Sequence, residues 1–320
     1  MKVEKVKNYE VIVIATMSSG KSTLLNALLG DDILPSKCQA CTSKIIQITD
    51  NDKLENFTGN AYYRNNKIKK YENLSKDDIF RINENTSFRE LKIEGNIPGI
   101  SNYKNRKIVF YDTPGPNNSS NLTHKDITLS FLKKNNDKTI LFVLNAAQLS
   151  TNDDYELLKT VEQAVKKNNQ IVFVLNKIDE IKNNLYEPIS SLIENCIKYL
   201  EKSGIKNPKI IPTSSNAAKL FKFTLFNKNL NEEEKDEFVY FFKKFSRENY
   251  NMFNYCNLET GILERVKNMK IENYFVSTKN FARHEIEING ETYSKENTFS
   301  ALKNTGLLFI EELFNKNIKL

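Results

Sequence analysis

Four consecutive β-branched residues, Val11-Ile12-Val13-Ile14, run into Ala15-Thr16-Met17-Ser18-Ser19-Gly20-Lys21-Ser22-Thr23 and then into Leu24, Leu25, Ala27, Leu28 and Leu29. An apolar run without alternation is what a strand buried on both faces requires. The short polar turn after it opens a helical pattern that stops at Gly30, the residue type favoured just past a helix end. A doubly buried strand needs helices on both sides, so this opening already points to an α/β chain and away from all-helical or all-β folds.

The rest of the first two thirds repeats the alternation. Ser43 to Thr49 alternates around Ile45 and Ile46, and Arg64-Asn65-Asn66-Lys67 reads as the turn of a hairpin over residues 57–71. Lys107 to Tyr111 forms the next strand and ends at Asp112; Thr139 to Leu144 and Ile171 to Leu175 are two more continuous apolar runs. Between them residues 152–167 are predicted helical, with Leu157, Leu158, Val161 and Ala164 on one side; Ile189 to Leu200 is a second such helix, and Ile210-Ile211-Pro212 a short strand. The expected fold is α/β: a mostly parallel, doubly wound sheet flanked by helices, with ligands at the strand C-termini. From about residue 219 the texture changes. Phe238, Phe241, Phe242 and Phe245 recur at helical spacing behind Glu232-Glu233-Glu234, Asn289-Gly290 marks a hairpin between Ile286 and Tyr293, and Leu307, Ile310, Leu313 and Phe314 form a last amphipathic helix. The Phe stripe reads as core ahead of a membrane anchor.

Three motifs carry chemistry, and their order matters. Residues 15–23 have the strand-turn-helix context of a phosphate-binding loop (P-loop), although Ala15 replaces the usual first Gly. The backbone N–H groups of Ser19, Gly20, Lys21, Ser22 and Thr23 would cradle phosphate oxygens. Lys21 would place its charge on the β- and γ-phosphates, and the Ser22 hydroxyl is a hard ligand for Mg²⁺. Asp112-Thr113-Pro114-Gly115 follows a strand; Asp112 can hold Mg²⁺, usually through water, and Gly115 lets a backbone N–H approach the γ-phosphate. Asn176-Lys177-Ile178-Asp179 selects the base. Asp179 can accept hydrogen bonds from guanine N1–H and N2–H₂, which adenine does not offer; the Lys177 stem can pack on the ring and Asn176 can tie this loop to the P-loop. Ser214 and Ser215, after the last strand, stand where a supporting base loop belongs. Thr42 is the candidate switch threonine, its hydroxyl completing the Mg²⁺ shell and its carbonyl orienting water. Cys38 and Cys41 form a Cys-x-x-Cys, but His124, His284, Cys196 and Cys256 are not spaced to complete a zinc site, so incidental packing is expected.

The stretch Met17 to Gly30, followed by Leu34-Pro35, Cys41-Thr42, Asp112 to Gly115 and Asn176 to Asp179, resembles the G domain of dynamin-superfamily GTPases, in particular bacterial dynamin-like proteins. The resemblance spans about residues 8–218, with the closing helix near 300–318 also similar. It implies a P-loop NTPase fold, GTP hydrolysis with Mg²⁺, and a homodimer across the nucleotide face. It assigns Ser18 to placing a charge-compensating cation, and it places the family's lysine, magnesium serine, switch threonine and Mg²⁺-associated aspartate on Lys21, Ser22, Thr42 and Asp112. Met17 stands where eukaryotic members often carry Gln. Pro116 follows Gly115, so no Gln orients water there, and the loop has no internal Arg; catalysis must come from Ser18, Lys21, Thr42, Gly115 and a partner surface, or be slow.

On this reading residues 1–218 are the G-domain core, 219–299 an insertion or accessory segment too short for a full helical stalk, and 300–320 the closing helix. The chain is either a G-domain piece or a short member relying on a partner. With 47 Lys+Arg against 40 Asp+Glu the net charge is +7; the lysines are scattered and no aromatic-basic platform is visible, so nucleic acid is set aside as a partner. A mean hydropathy of −0.53, with no apolar run near the roughly 20 residues a span needs, excludes a transmembrane helix. The short run Val11 to Ala15 leads straight into the P-loop, so no cleavable signal is expected. Four cysteines in 320 residues make no disulfide scaffold. The expected location is the cytoplasm or the periphery of the inner membrane, with a membrane or a protein as partner. Two other readings stand beside the GTPase: a regulatory GTP-binding module with negligible hydrolysis, and an assembly GTPase acting on RNA.

Overall fold

The computed structural model describes residues 7–35, 44–100, 106–114, 128, 131–133, 138–164, 170–182, 188–275 and 285–319. Nine strands form one sheet: β1 (Lys7–Ala15), β2 (Ile45–Asp50), β3 (Thr58–Tyr63), β4 (Ile68–Tyr71), β5 (Phe88–Gly95), β6 (Arg106–Asp112), β7 (Thr139–Asn145), β8 (Gln170–Asn176) and β9 (Lys209–Thr213). Their order is β4-β3-β5-β2-β6-β1-β7-β8-β9. The half containing β6, β1, β7, β8 and β9 is all parallel. In the other half β2 runs antiparallel to β6 and β3 runs antiparallel to both β4 and β5.

The continuous apolar runs become the middle of the parallel half. Every residue of β7 is buried, as are Val11 to Ala15 in β1 and Val172 to Leu175 in β8. Parallel strands need crossovers that cover both faces, so they lose the polar alternation of one-sided sheets. Register brings the C-terminal ends of these strands level: Val13 pairs with Asp112, Asn145 with Asn176, and Asn176 with Thr213. That edge carries the loops discussed below.

Helix α1 (Lys21–Leu29) lies between Gly20, at φ 84°, and Gly30, at φ 65°. It is followed by α2 (Lys76–Glu84), α3 (Asn152–Ala164), α4 (Ile189–Lys202), α5 (Ser215–Leu225), α6 (Glu232–Phe245) and α7 (Thr260–Lys267). A short hairpin of β10 (Ile286–Ile288) and β11 (Glu291–Tyr293) precedes α8 (Lys295–Asn304) and α9 (Leu307–Lys319). α5 packs against α1, α6 and α8. The Phe stripe of α6 is core: Phe238, Phe241 and Phe245 are buried, and the Phe221 ring of α5 meets Phe238, Phe242 and Phe245 edge-on. α6 itself starts with a capping box between Asn231 and Glu234, which satisfies N–H groups that the first helical turn leaves open.

The single closing helix expected near 300–318 is instead two helices, α8 and α9. The chain breaks at Thr305-Gly306, where Gly306 has φ 88° and a Cβ would stand 2.0 Å from the Pro212 carbonyl oxygen. Only glycine permits both that backbone and that approach. The break lets the Thr305 carbonyl accept from the Ser214 N–H at 2.9 Å, docking the C-terminal helices behind the end of β9.

Candidate functional site

The loop after β1 is held from several directions. Gly20 takes the left-handed backbone that starts α1, and a Cβ on it would lie 2.3 Å from Asn176 Nδ2. Ser18 also has positive φ, 62°, and is exposed. Ser19 is fully buried; its Oγ lies 2.8 Å from Thr16 Oγ1. Thr16 in turn donates to Asp154 Oδ1 of α3 at 2.9 Å. Asp154 is buried and also accepts from the Thr151 N–H at 3.3 Å. This brace has no short-range sequence signature, because Thr16 and Asp154 are 138 residues apart.

Lys21, the first residue of α1, reaches Asp112 Oδ1 at the end of β6 in a direct ion pair. Asp112 is fully buried, and Thr113 beside it donates to the Val13 carbonyl at 2.8 Å. Ser22 and Thr23 continue the first turn of α1 and are half-buried. A lysine ammonium and a carboxylate thus stand at a helix N-terminus, where backbone N–H groups and the helix dipole favour an anion.

Asn176 joins this loop to the other side of the edge. Its Nδ2 donates to the Ser19 carbonyl at 2.8 Å, and its Oδ1 accepts from the Ser215 N–H at 3.0 Å. Lys177 follows in a left-handed conformation, φ 67°, before a 3₁₀ turn over Ile178–Glu180. Its ammonium pairs with Glu180 at 3.0 Å. The Ser214 hydroxyl donates to Asp179 Oδ1 at 2.5 Å. Burial pushes the Asp179 carboxyl above the usual carboxylate range and Glu180 adds to this, while the Ser214 hydroxyl and the Lys244 charge act against it.

The described residues therefore bring Ser18, Ser19, Gly20, Lys21, Ser22, Thr23, Asp112, Asn176, Lys177, Asp179, Ser214 and Ser215 to one edge of the sheet. Thr42 and Gly115 lie outside the described residues, as do Cys38, Cys41, His124 and His284. Among the described residues, no three His, Cys, Asp or Glu side chains gather as a metal-binding group. Cys196 and Cys256 are free, and burial pushes both thiols up to about 12, so neither offers a thiolate near neutral pH. No helix among the described residues is long and apolar enough to cross a membrane.

Comparison with known proteins gives this arrangement a family. A 218-residue segment is 28% identical to an uncharacterised protein from the xynA 3′ region of Caldicellulosiruptor, covering 68% of this chain and 51% of that one. A bacterial dynamin-like protein from Nostoc punctiforme is 26% identical over 198 residues, covering 56% of this chain and 26% of its own length. The chain thus spans about half, or less, of the curated relatives it matches. Among solved structures, an oligomerised bacterial dynamin pair, described as providing a mechanism for long-range sensing and tethering of membranes, matches with a TM-score of 0.49. It is 17% identical and the match covers 81% of this chain and 42% of that one. The family model for the dynamin family matches residues 11–178, more than half of the chain, from within β1 to Ile178 in the loop after β8, so this chain belongs to the dynamin family and carries its G domain.

Proposed function

We propose that the aligned strand ends bind GTP with Mg²⁺ and that the chain hydrolyses it to GDP and phosphate, with turnover coupled to homodimerisation across the nucleotide face. The observation that carries this reading is the Asn176 bridge. One side chain holds the Ser19 carbonyl and the Ser215 N–H together, so the phosphate-side loop and the base-side loops stand at a set separation. A nucleotide long enough to touch both would bind without first ordering them, which lowers the cost of association.

The donor set suits Mg²⁺. The Ser22 hydroxyl and the Asp112 carboxylate offer hard oxygens, which a small divalent cation prefers over nitrogen or sulfur. Ser22 and Asp112 would hold the ion, with Thr42 as the proposed third oxygen, and the ion would neutralise charge on the β- and γ-phosphates. Lys21 exchanges its contact with Asp112 for a phosphate oxygen. The N–H groups at the start of α1 take further oxygens, and Ser18 stands exposed on the side where a second protomer would meet it. Asp179, oriented by Ser214, accepts from the guanine edge while the Lys177 stem covers one ring face. On this proposal residues 1–218 form the G-domain core, and 219–299 and 300–320 brace it. The target of assembly is a membrane or a protein partner.

Specific activity measured at rising protein concentration tests the coupling. Turnover per molecule that climbs with concentration supports dimer-stimulated hydrolysis. Flat turnover near zero would instead fit a GTP-binding module that recruits a partner, a reading favoured by Pro116 following Gly115 and by the lack of Arg in residues 15–23. In either case Lys21→Ala is expected to weaken GTP binding by at least about 100-fold, the loss of a charge-assisted phosphate contact. Calorimetry returning wild-type affinity for that variant would overturn the phosphate assignment.

A further inference from the structure

The turn that carries Asp179 is held by groups far downstream. Lys244, near the end of α6, donates from Nζ to the Asp179 backbone carbonyl at 2.6 Å. Tyr250, in the 3₁₀ turn Glu248–Tyr250, donates from its hydroxyl to the Ile181 carbonyl at 2.9 Å. The two donors are linked: the Lys244 ammonium lies 4.6 Å from the centre of the Tyr250 ring and 5.5 Å from that of Tyr240. α6 is in turn fixed to the C-terminal helices, since Asn304 Nδ2 donates to the Phe245 carbonyl at 2.8 Å. The next residue, Thr305, accepts from the N–H of Ser214, the residue whose hydroxyl holds the Asp179 carboxylate.

We infer that Lys244 is a positioning residue for guanine recognition, holding the Asp179 turn by its backbone while Ser214 holds it by its side chain. The inference rests on the proposal that Asp179 reads guanine. A 3₁₀ turn entered through a left-handed residue leaves carbonyls pointing outward without intrahelical partners. The carbonyls of Asp179 in the turn and of Ile181 just after it are taken by side chains from α6 and from the 3₁₀ turn that follows it, which limits the freedom of the Asp179 carboxylate. Lys244 also acts at a distance. The charged and polar groups that act on Asp179 are Glu180 on its own turn, Ser214 just after β9 and Lys244 on α6, while Lys177 on the same turn is paired with Glu180. Of these, the Ser214 hydroxyl and the Lys244 charge work against the burial that favours the neutral acid, and Glu180 adds to it. A protonated Asp179 cannot accept from both guanine donors, so GTP affinity falls as pH drops through the Asp179 pKa. Removing the Lys244 charge moves that fall to higher pH.

The test is GTP and ATP affinity from pH 5 to 9 for the wild-type protein, Lys244→Met and Lys244→Arg, with Asp179→Asn measured against xanthosine triphosphate in parallel. Lys244→Met is expected to lower the GTP-over-ATP preference about tenfold at pH 7 and to move the acid-side midpoint of GTP binding to higher pH. Lys244→Arg, which keeps charge and donor, is expected to restore both. Equal losses for GTP and ATP, or an unmoved midpoint and preference in Lys244→Met, would overturn the positioning role. If Asp179→Asn does not gain xanthosine triphosphate, the base-reading proposal fails first and takes this inference with it. If it does gain it while Lys244→Met behaves as wild type, only the role of Lys244 fails.

Discussion

Glu311→Ala is expected to cost about 3–5 kcal/mol of folding stability, the usual effect of stranding one member of a buried ion pair. Lys222 of α5 and Glu311 of α9 meet at 2.6 Å and are 0% and 1% exposed. Lys222 also donates to the Leu28 carbonyl in the last turn of α1 at 2.7 Å, and Tyr274 donates to the second Glu311 oxygen at 2.8 Å. Burial pushes the Lys222 ammonium down and the Glu311 carboxyl up, so each charge depends on the other. The Lys222 charge also sits at the negative end of α1, the helix whose other end carries Lys21. Chemical denaturation of Glu311→Ala, Lys222→Met and the pair Lys222→Met/Glu311→Leu checks this. The double variant is expected to recover part of the single losses, because two apolar side chains of similar volume remove the stranded charge while Leu28 and Tyr274 still lose a partner each. A loss under about 1 kcal/mol in Glu311→Ala would show that the pair does not hold the C-terminal helices to α1.

Asp179→Asn is expected to turn the base preference over, with GTP weakened at least about 100-fold relative to xanthosine triphosphate. An aspartate offers two acceptors, matching guanine N1–H and N2–H₂. An asparagine offers one acceptor and one NH₂ donor, which opposes a guanine donor and matches the xanthine C2 carbonyl. Ser214 already donates to Asp179 Oδ1, so the carboxylate enters binding oriented, and the Asn176 bridge behind it keeps the phosphate side in place. Competition titrations with both nucleotides measure the ratio. Retained GTP selectivity in the variant would sink the assignment of Asp179 to the base.

The parts of this protein that could be read along the chain are those whose causes lie within a few residues. Val11 to Ala15 has no polar face to turn outward, and Gly20 and Gly30 bound the helix after it because both ends need positive φ. The strand ends at Asp112 and Asn176 are legible for the same reason: an apolar run stops and a polar motif begins. The hairpins around Asn65-Asn66 and Asn289-Gly290 carry their turn residues with them, and the structure places strands on either side of both.

What the chain order hid is everything settled by contacts across long separations. Phe88–Gly95 forms β5, pairing parallel with β2 and antiparallel with β3, yet its mixture of Arg, Glu and Lys with apolar residues makes it a strand only once both neighbours supply hydrogen bonds. Lys222 in a helix interior looks solvent-facing until Glu311 arrives from 89 residues away. Thr305-Gly306 separates α8 from α9 through a left-handed Gly306, where the Pro212 carbonyl occupies the space that any side chain would need. Sequence alone determined the residue types at the strand ends, since local backbone demands select them; tertiary structure alone decided that Asp154, Lys244, Tyr250 and Thr305 would hold those residues in place, since a hydrogen bond between distant segments leaves no periodicity behind.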